Sequence, residues 1–415
     1  MQTQFTSQIA SANVASTQVA LAIQDSSYAH VNNVQIQDFY YGVQLGNSTF
    51  TAKSSMFSDV FIETLPSGTC LSITPFVYDA TFKGCTFQNP SAPSSGLNVV
   101  IDPSGGGGSS SIDTVIFDSC TSKTSSMYGL EIRGGQNIQV IGGSYSGNTT
   151  GGIGVTGPAK GVQIVGVSCV GPSEAGSAQQ YGIYIDNGSD IQIADVNCSG
   201  TGTSGNGVGI YINGTSISDV RITNAICLGP FLGVASQQLY GMFVEGATQV
   251  LVDSCNLSGS TGATSYGLAL QAVTNVTVSN CDLLSNAGGG LYVVGGSGVV
   301  LTTKVFVRDC NITGYSSYST AVKVGTNVST LEITNSAGYN DQAVPFSTPP
   351  APAALFNGVT YGYYGPVTFY LWNSPTAAVT IDGVATTLNN GAYSLAPGQN
   401  AALSIVATNF LMVGT

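Results

Sequence analysis

Two acids and a file of aromatic rings carry the chemistry that can be read from spacing alone. Asp186 and Glu245 each stand four residues after the glycine of a Tyr-Gly pair, in YGIYID (181–186) and YGMFVE (240–245), and Asn213 holds the same place after Gly209. Two residues after the same glycines come Tyr184, Tyr211 and Phe243; Tyr292 follows Gly290, and Glu131 and Arg133 follow Gly129. Aromatic faces stack on sugar rings while carboxylates, amides and guanidinium take up hydroxyls, so this set has the composition of a saccharide groove. If the strands stack in parallel register, Asp186 and Glu245 are two rungs apart, with backbones separated by about 9.6 Å. Side-chain reach then brings the carboxyls into the ~6.5–9.5 Å window of an inverting glycosidase, with room for a water between them. Phe243 is the apolar neighbour that would keep one of the pair protonated. Glu131 is the reserve acid, and Glu174, on a loop, is a further acidic contact. The bland reading stays open: two outward acids arise by chance, and outward aromatic rows also serve subunit contacts.

The elements that must position these residues form a repeat. From Gly151 to Asn340 the phrase Tyr-Gly, alternating strand, turn, second alternating strand, then Asp, Asn or Ser and Cys keeps returning, as in YGIYIDNGSDIQIADVNC (181–198) and YGLALQAVTNVTVSNC (266–281). The closing cysteines fall at 169, 198, 227, 255, 281 and 310, in steps of 29, 29, 28, 26 and 29. A repeat of that length, built of strands with no helical phrase, marks a β-solenoid. After each glycine the first and third residues are apolar (Leu130/Ile132, Ile153/Val155, Ile183/Ile185, Ile210/Ile212, Met242/Val244, Leu268/Leu270, Leu291/Val293). A strand has period 2, so this set faces a core and the other faces out. About eleven coils in succession bury what a lone coil cannot.

The phrases IQIADVNCSG, VTVSNCDLLS and VFVRDCNITG, each followed by a Gly-apolar strand, make the chain resemble the right-handed parallel β-helices of the pectate-lyase superfamily over roughly residues 15–340. The resemblance implies an all-β, right-handed parallel β-helix; lyases, hydrolases, epimerases, phage tailspikes and adhesins share that fold, so it does not choose an activity. The Asn-Thr-Asp, Asp-Asp and Gly-His-Gly motifs of polygalacturonase-like members are absent. Arg133 beside Glu131 is a thin echo of the acids and base of pectate lyases, and neither activity is assigned.

Composition narrows the partners. Only 7% of residues are charged, the formal net charge is −12 and the sequence pI about 4.1. Nine basic residues in such a field argue against nucleic acid, and no 18-residue apolar run exists for membrane insertion. A neutral polysaccharide is more comfortable than an anionic one. Nine cysteines are expected as a buried thiol ladder, with Cys85, Cys120 and the later six in one slot of the coil and Ser144 filling it once. Parallel Cβ vectors make poor disulfides. No C-x-x-C pair occurs and the single histidine, His30, stands apart, so neither metal nor cofactor is expected.

Two domains joined by a linker are expected: the β-helix over 1–340, a Pro-rich linker at 341–356 and a small β-sandwich-like domain at 357–415. The first coils (19–127) are less regular, and DPSGGGGSSS (102–111) reads as a flexible excursion. The N-terminus lacks a signal peptide and a convincing cap, so a further domain or an earlier segment is expected to cover it. The loops GPSEAGSAQQYG (171–182) and GPFLGVASQQLYG (229–241) echo each other two coils apart and are candidate functional loops. The tail resembles C-terminal modules of phage tail proteins in GYND, VTID-Gly and LAPGQNAALSI. Ile116, Leu251 and Phe306, outward on the second sheet, suit packing against a neighbouring chain; resemblance to tailspikes implies a homotrimer. The reading is therefore a tailspike-like or tail-fibre-like protein, extracellular or in the virion tail, that binds a bacterial surface polysaccharide and hydrolyses it. A non-catalytic structural or adhesive spike is the alternative, and a secreted polysaccharide lyase or hydrolase the weaker one.

Overall fold

The computed structural model describes residues 18–338, apart from 48, 50, 90–95, 105–110, 171–179, 201–206, 230–237, 261–264, 297–299 and 316–320, together with backbone strands at 3–6 and within 360–414. A 16-stranded and a 14-stranded sheet run the length of the described solenoid, and every strand pair in them is parallel. Among the described residues the middle third contains no α-helical segment. The chain is an all-β right-handed parallel β-helix, as the repeat predicts.

The alternation sets the register. Leu71, Val99, Leu130, Ile153, Ile183, Ile210, Met242, Leu268, Leu291 and Val322 pair one above another. All are at most 4% exposed. The second sheet contributes a matching file, Ile193, Ile222, Val252, Val278 and Val307, and near the N-terminal end Phe57, Phe82 and Phe117 stack inside the coil at 4.9 and 5.0 Å. A one-residue slip would turn a whole file to water, so burial pins the register.

The corner after the second sheet explains the recurring Asp, Asn or Ser. Asp195, Asn224, Ser254, Asn280 and Asp309 all have φ between 52° and 55°, a left-handed conformation that short polar side chains tolerate. Here the cysteine expectation needs correction. The nine thiols are free and buried, but the eight expected in one slot occupy two files, and Cys70 stands apart in the strand Phe61–Ile73. Cys255, Cys281 and Cys310 directly follow the left-handed residue and donate to the carbonyls of Asp253, Ser279 and Arg308 at 3.3, 3.1 and 3.3 Å. Cys169, Cys198 and Cys227 lie two positions later. The bridges Ile226↔Asn256 and Asn256↔Asp282 align Cys227 with Leu257 and Leu283, while Ala225 fills the file of Cys255. Ser144 bridges Ser168, so it is not a stand-in for cysteine; Tyr145 is the residue in line with Cys169. Near-equal spacing concealed a two-residue shift of the corner.

In the C-terminal segment the backbone forms two antiparallel sheets, one from Thr360–Gly362, Val379–Ile381, Val384–Thr386 and Asn400–Leu403, the other from Val367–Trp372, Gly391–Leu395 and Asn409–Gly414.

Candidate functional site

The outer face of the first sheet carries the aromatic file. Glu131, Gly154, Tyr184, Tyr211, Phe243, Ala269 and Tyr292 are in register on successive rungs. A second outward file, Tyr128, Gly151, Tyr181, Val208, Tyr240, Tyr266 and Gly289, runs beside it. The two interleave into one band. Centroids lie at 4.9 Å for Tyr181–Tyr184, 5.6 Å for Tyr184–Tyr211, 5.0 Å for Tyr211–Phe243, 5.0 Å for Tyr240–Phe243, 6.4 Å for Tyr240–Tyr266 and 5.0 Å for Tyr266–Tyr292. Parallel strands repeat at about 4.8 Å, close to a stacking distance, so rings on adjacent rungs pack without strain. Tyr128, Tyr181 and Tyr266 are buried, whereas Tyr184, Tyr211, Phe243 and Tyr292 keep part of each ring open. The band begins where Gly151 and Gly154 leave one rung bare. The Tyr128 ring folds over that gap, so close that a Cβ on Gly154 would stand 2.7 Å from its Cδ2.

A polar file flanks the rings. Asn213, Glu245 and Gln271 are in register, and Asp186 directly follows the strand Gln180–Ile185 one rung below Asn213, so Asn213 separates the two acids. Glu245 accepts from the Tyr211 hydroxyl at 2.9 Å on Oε2 and from Gln271 Nε2 at 3.0 Å on Oε1. Burial first, and then Glu245, push the Tyr211 hydroxyl well above its ordinary value, which keeps it a donor. Tyr184 is hydrogen-bonded to Asn213. Asp186 is exposed.

Glu131 and Arg133 stand elsewhere, at the N-terminal end of the band. Glu131 is 4% exposed, and its carboxylate accepts from Arg133 Nη2 at 2.9 Å and Thr156 Oγ1 at 3.1 Å. Arg133 Nη1 donates to Asp102 Oδ2 at 3.2 Å. Two hydrogen-bonded carboxylates hold the guanidinium fixed and, with Glu131 first, raise its pKa. Glu174, and the loop stretches 171–179 and 230–237, lie outside the described residues. On the second sheet Ile116 and Leu251 are half-buried and Phe306 is 36% exposed; Gln139, Gln163, Gln192 and Arg221 come between the first two in the file. The apolar residues are therefore scattered along that face.

Sequence reasoning passed over Tyr128, Tyr181, Tyr240 and Tyr266, although the repeated Tyr-Gly phrase contains them. It also passed over Asp102, at the head of a glycine-rich stretch, whose partner Arg133 is 31 positions away.

Taken together these features define the class: a right-handed parallel β-helix with an aromatic and carboxylate-bearing outer face. Residues 173–337 match the family described as right handed beta helix region. Among solved structures, the periplasmic alginate epimerase AlgG is similar at 8% identity and a TM-score of 0.46, over 75% of this chain and 76% of that one. Tailspike protein 3 of Bacteriophage CBA120 is similar at 15% identity and a TM-score of 0.44, over 83% of this chain and 59% of that one. The tailspike protein gp49 of Pseudomonas phage LKA1 is similar at 12% identity and a TM-score of 0.38, over 93% and 66%. These superpositions are too loose to carry any residue role across. No curated protein sequence matches the chain.

Proposed function

We propose that the protein is a tailspike-like β-helix that binds a bacterial surface polysaccharide along the outer face of its first sheet. The observation that carries this reading is the stacked band running to Tyr292, with Asp186, Asn213 and Glu245 in file beside its open rings. Half-open rings offer flat apolar area, and the neighbouring acceptors are spaced rung by rung for sugar hydroxyls. A net charge of −12 favours a neutral glycan over an anionic one.

Hydrolysis by Asp186 and Glu245 as an inverting pair is the finer form of the proposal. One observation favours the non-catalytic form instead: both oxygens of Glu245 are already occupied by Tyr211 and Gln271, as in a rigid binding carboxylate. A homotrimer in an extracellular or virion-tail setting accompanies the proposal.

The test is binding of, and reducing-sugar release from, a panel of capsular and O-antigen polysaccharides, by the native chain and by Asp186→Asn, Glu245→Gln and Tyr211→Phe. Binding weakened by Tyr211→Phe, with release abolished by either acid substitution, supports the enzyme. Binding without release supports the spike. Binding of no glycan discards the reading, and a monomeric mass in solution discards the trimer.

A further inference from the structure

We propose that the first sheet carries a second saccharide subsite, a groove over its N-terminal rungs that takes an uncharged sugar unit; the assignment rests on the polysaccharide-binding reading and extends it. Gln44, Ser72 and Val100 are in register on the outer face, in the same file that later holds Tyr184 and Tyr211. Thr69 stands in the neighbouring outward file, between Tyr41 and Leu97. Outward residues this small should be wet. Instead Thr69 and Ser72 are each 8% exposed and Val100 6%, and together with Tyr41, Asp102 and Arg133 they line an open groove of about 470 Å³. That volume is in the ordinary range for a small-molecule site, roughly 300–1,000 Å³.

The lining selects the ligand by chemistry. The ring of Tyr41 supplies a stacking face; Gln44, Ser72 and Thr69 supply hydroxyl and amide groups. Asp102 spends one oxygen on the Ser104 N–H, at 2.9 Å, and the other on Arg133. Arg133 is shared between Asp102 and Glu131, so the three charges sum to minus one, and among the described residues no further cation lines the groove. A uronate or phosphorylated sugar would meet net repulsion there. An uncharged sugar would meet none and would find the Asp102 carboxylate and the Arg133 guanidinium already held in place, which lowers the entropic cost of binding. Glu131 does not line the groove; it is a positioning residue that holds the guanidinium in the wall.

The groove and the open rings lie on one face. From Ser72 to Tyr211 the file climbs five rungs, about 24 Å at the inter-strand spacing. A glycan long enough to touch both would gain from having two sites on one rigid scaffold.

Amide hydrogen exchange tests this with maltose, cellobiose and N,N′-diacetylchitobiose as uncharged probes and digalacturonate as the acidic one. The expected result is slowed exchange in 41–47, 69–75 and 97–104 with an uncharged probe and none with digalacturonate. Ser72→Tyr, which fills the floor, should abolish that protection while exchange in the inner files stays native. Gln44→Ala should weaken it about tenfold, as loss of one good polar contact does. If the uncharged probes protect only 184–245, the groove assignment falls and the aromatic face stands. Protection of the groove alone, lost in Ser72→Tyr, upholds the groove and removes the aromatic face from the binding reading. Protection by digalacturonate equal to that by the uncharged probes refutes the selection by charge. Protection in neither region overturns both proposals.

Discussion

Replacing Arg133 with methionine keeps much of the side chain's apolar reach and removes the cation shared by Glu131 and Asp102. The side chain of Glu131 is 6% exposed, against 37% for Arg133 and 25% for Asp102. Removing one partner of a fully buried pair costs about 3–5 kcal/mol, and an exposed pair contributes about 0–1 kcal/mol. Water already reaches Arg133, and Thr156 still donates to Glu131 after the change, so the cost lies between these limits, about 2–3 kcal/mol. Most of it belongs to the stranded Glu131 carboxylate. Pairing Arg133→Met with Glu131→Gln should therefore recover about 1–2 kcal/mol, because an amide at that site still accepts from Thr156 without a buried charge. Urea unfolding of the native chain, both single variants and the double variant measures the cycle. An Arg133→Met variant within about 0.5 kcal/mol of the native chain, or a double variant showing no recovery, would refute the reasoning.

Ile210→Ala, at a position 0% exposed between Ile183 and Met242, should lose about 2–5 kcal/mol in thermal unfolding; an unchanged midpoint would contradict the inner file. Burial pushes the Cys70 thiol up to about 12, and the neighbouring Cys198 thiol, together with burial, holds Cys169 well above its ordinary value, so a thiol reagent at pH 8 should label those two positions only after denaturation. For Asp102 burial acts upward, but hydrogen bonds from Ser104 and Arg133 outweigh it and leave the pKa below its ordinary 3.8. A depressed acid contributes stability that is full above the ordinary value and fades as pH falls through the folded one, so the midpoint should drop below about pH 3.8 and Asp102→Asn should flatten that limb.

The inner wall was legible because one rule, period two, fixes it. Ile183, Ile210, Leu268 and Leu291 had to coincide or else be exposed together. Thiol alignment was harder to read, since a step of 28 residues from Cys227 to Cys255 is indistinguishable on paper from a true repeat. Only the pairing of Ile226 with Asn256 shows the displacement. The site was half legible. Tyr184, Tyr211 and Phe243 stood out by their distance from a glycine. The residue just before each glycine is equally outward by the same alternation, but its constant place in the Tyr-Gly phrase hides that it forms a second file. Asp102 carried no signal at all, because ion pairs between successive coils join positions about a repeat apart and follow no short-range pattern.

That contrast has a physical origin. Inward positions must fill a common cross-section, so a few apolar shapes recur there and the repeat remains visible. Outward positions owe nothing to the stack except pairing of the backbone, and they can change rung by rung without cost to the core. The outer file of the first sheet uses that freedom: small residues sink into a groove at Ser72 and Val100, a locked Arg133 closes it, two glycines give way to the Tyr128 ring, and an aromatic ridge rises beyond. A rigid repeating wall thus lets a single face vary from groove to ridge along its length. An extended polymer crossing several rungs would encounter a different contact at each step, and its recognition would depend on the order of those contacts more than on any one of them.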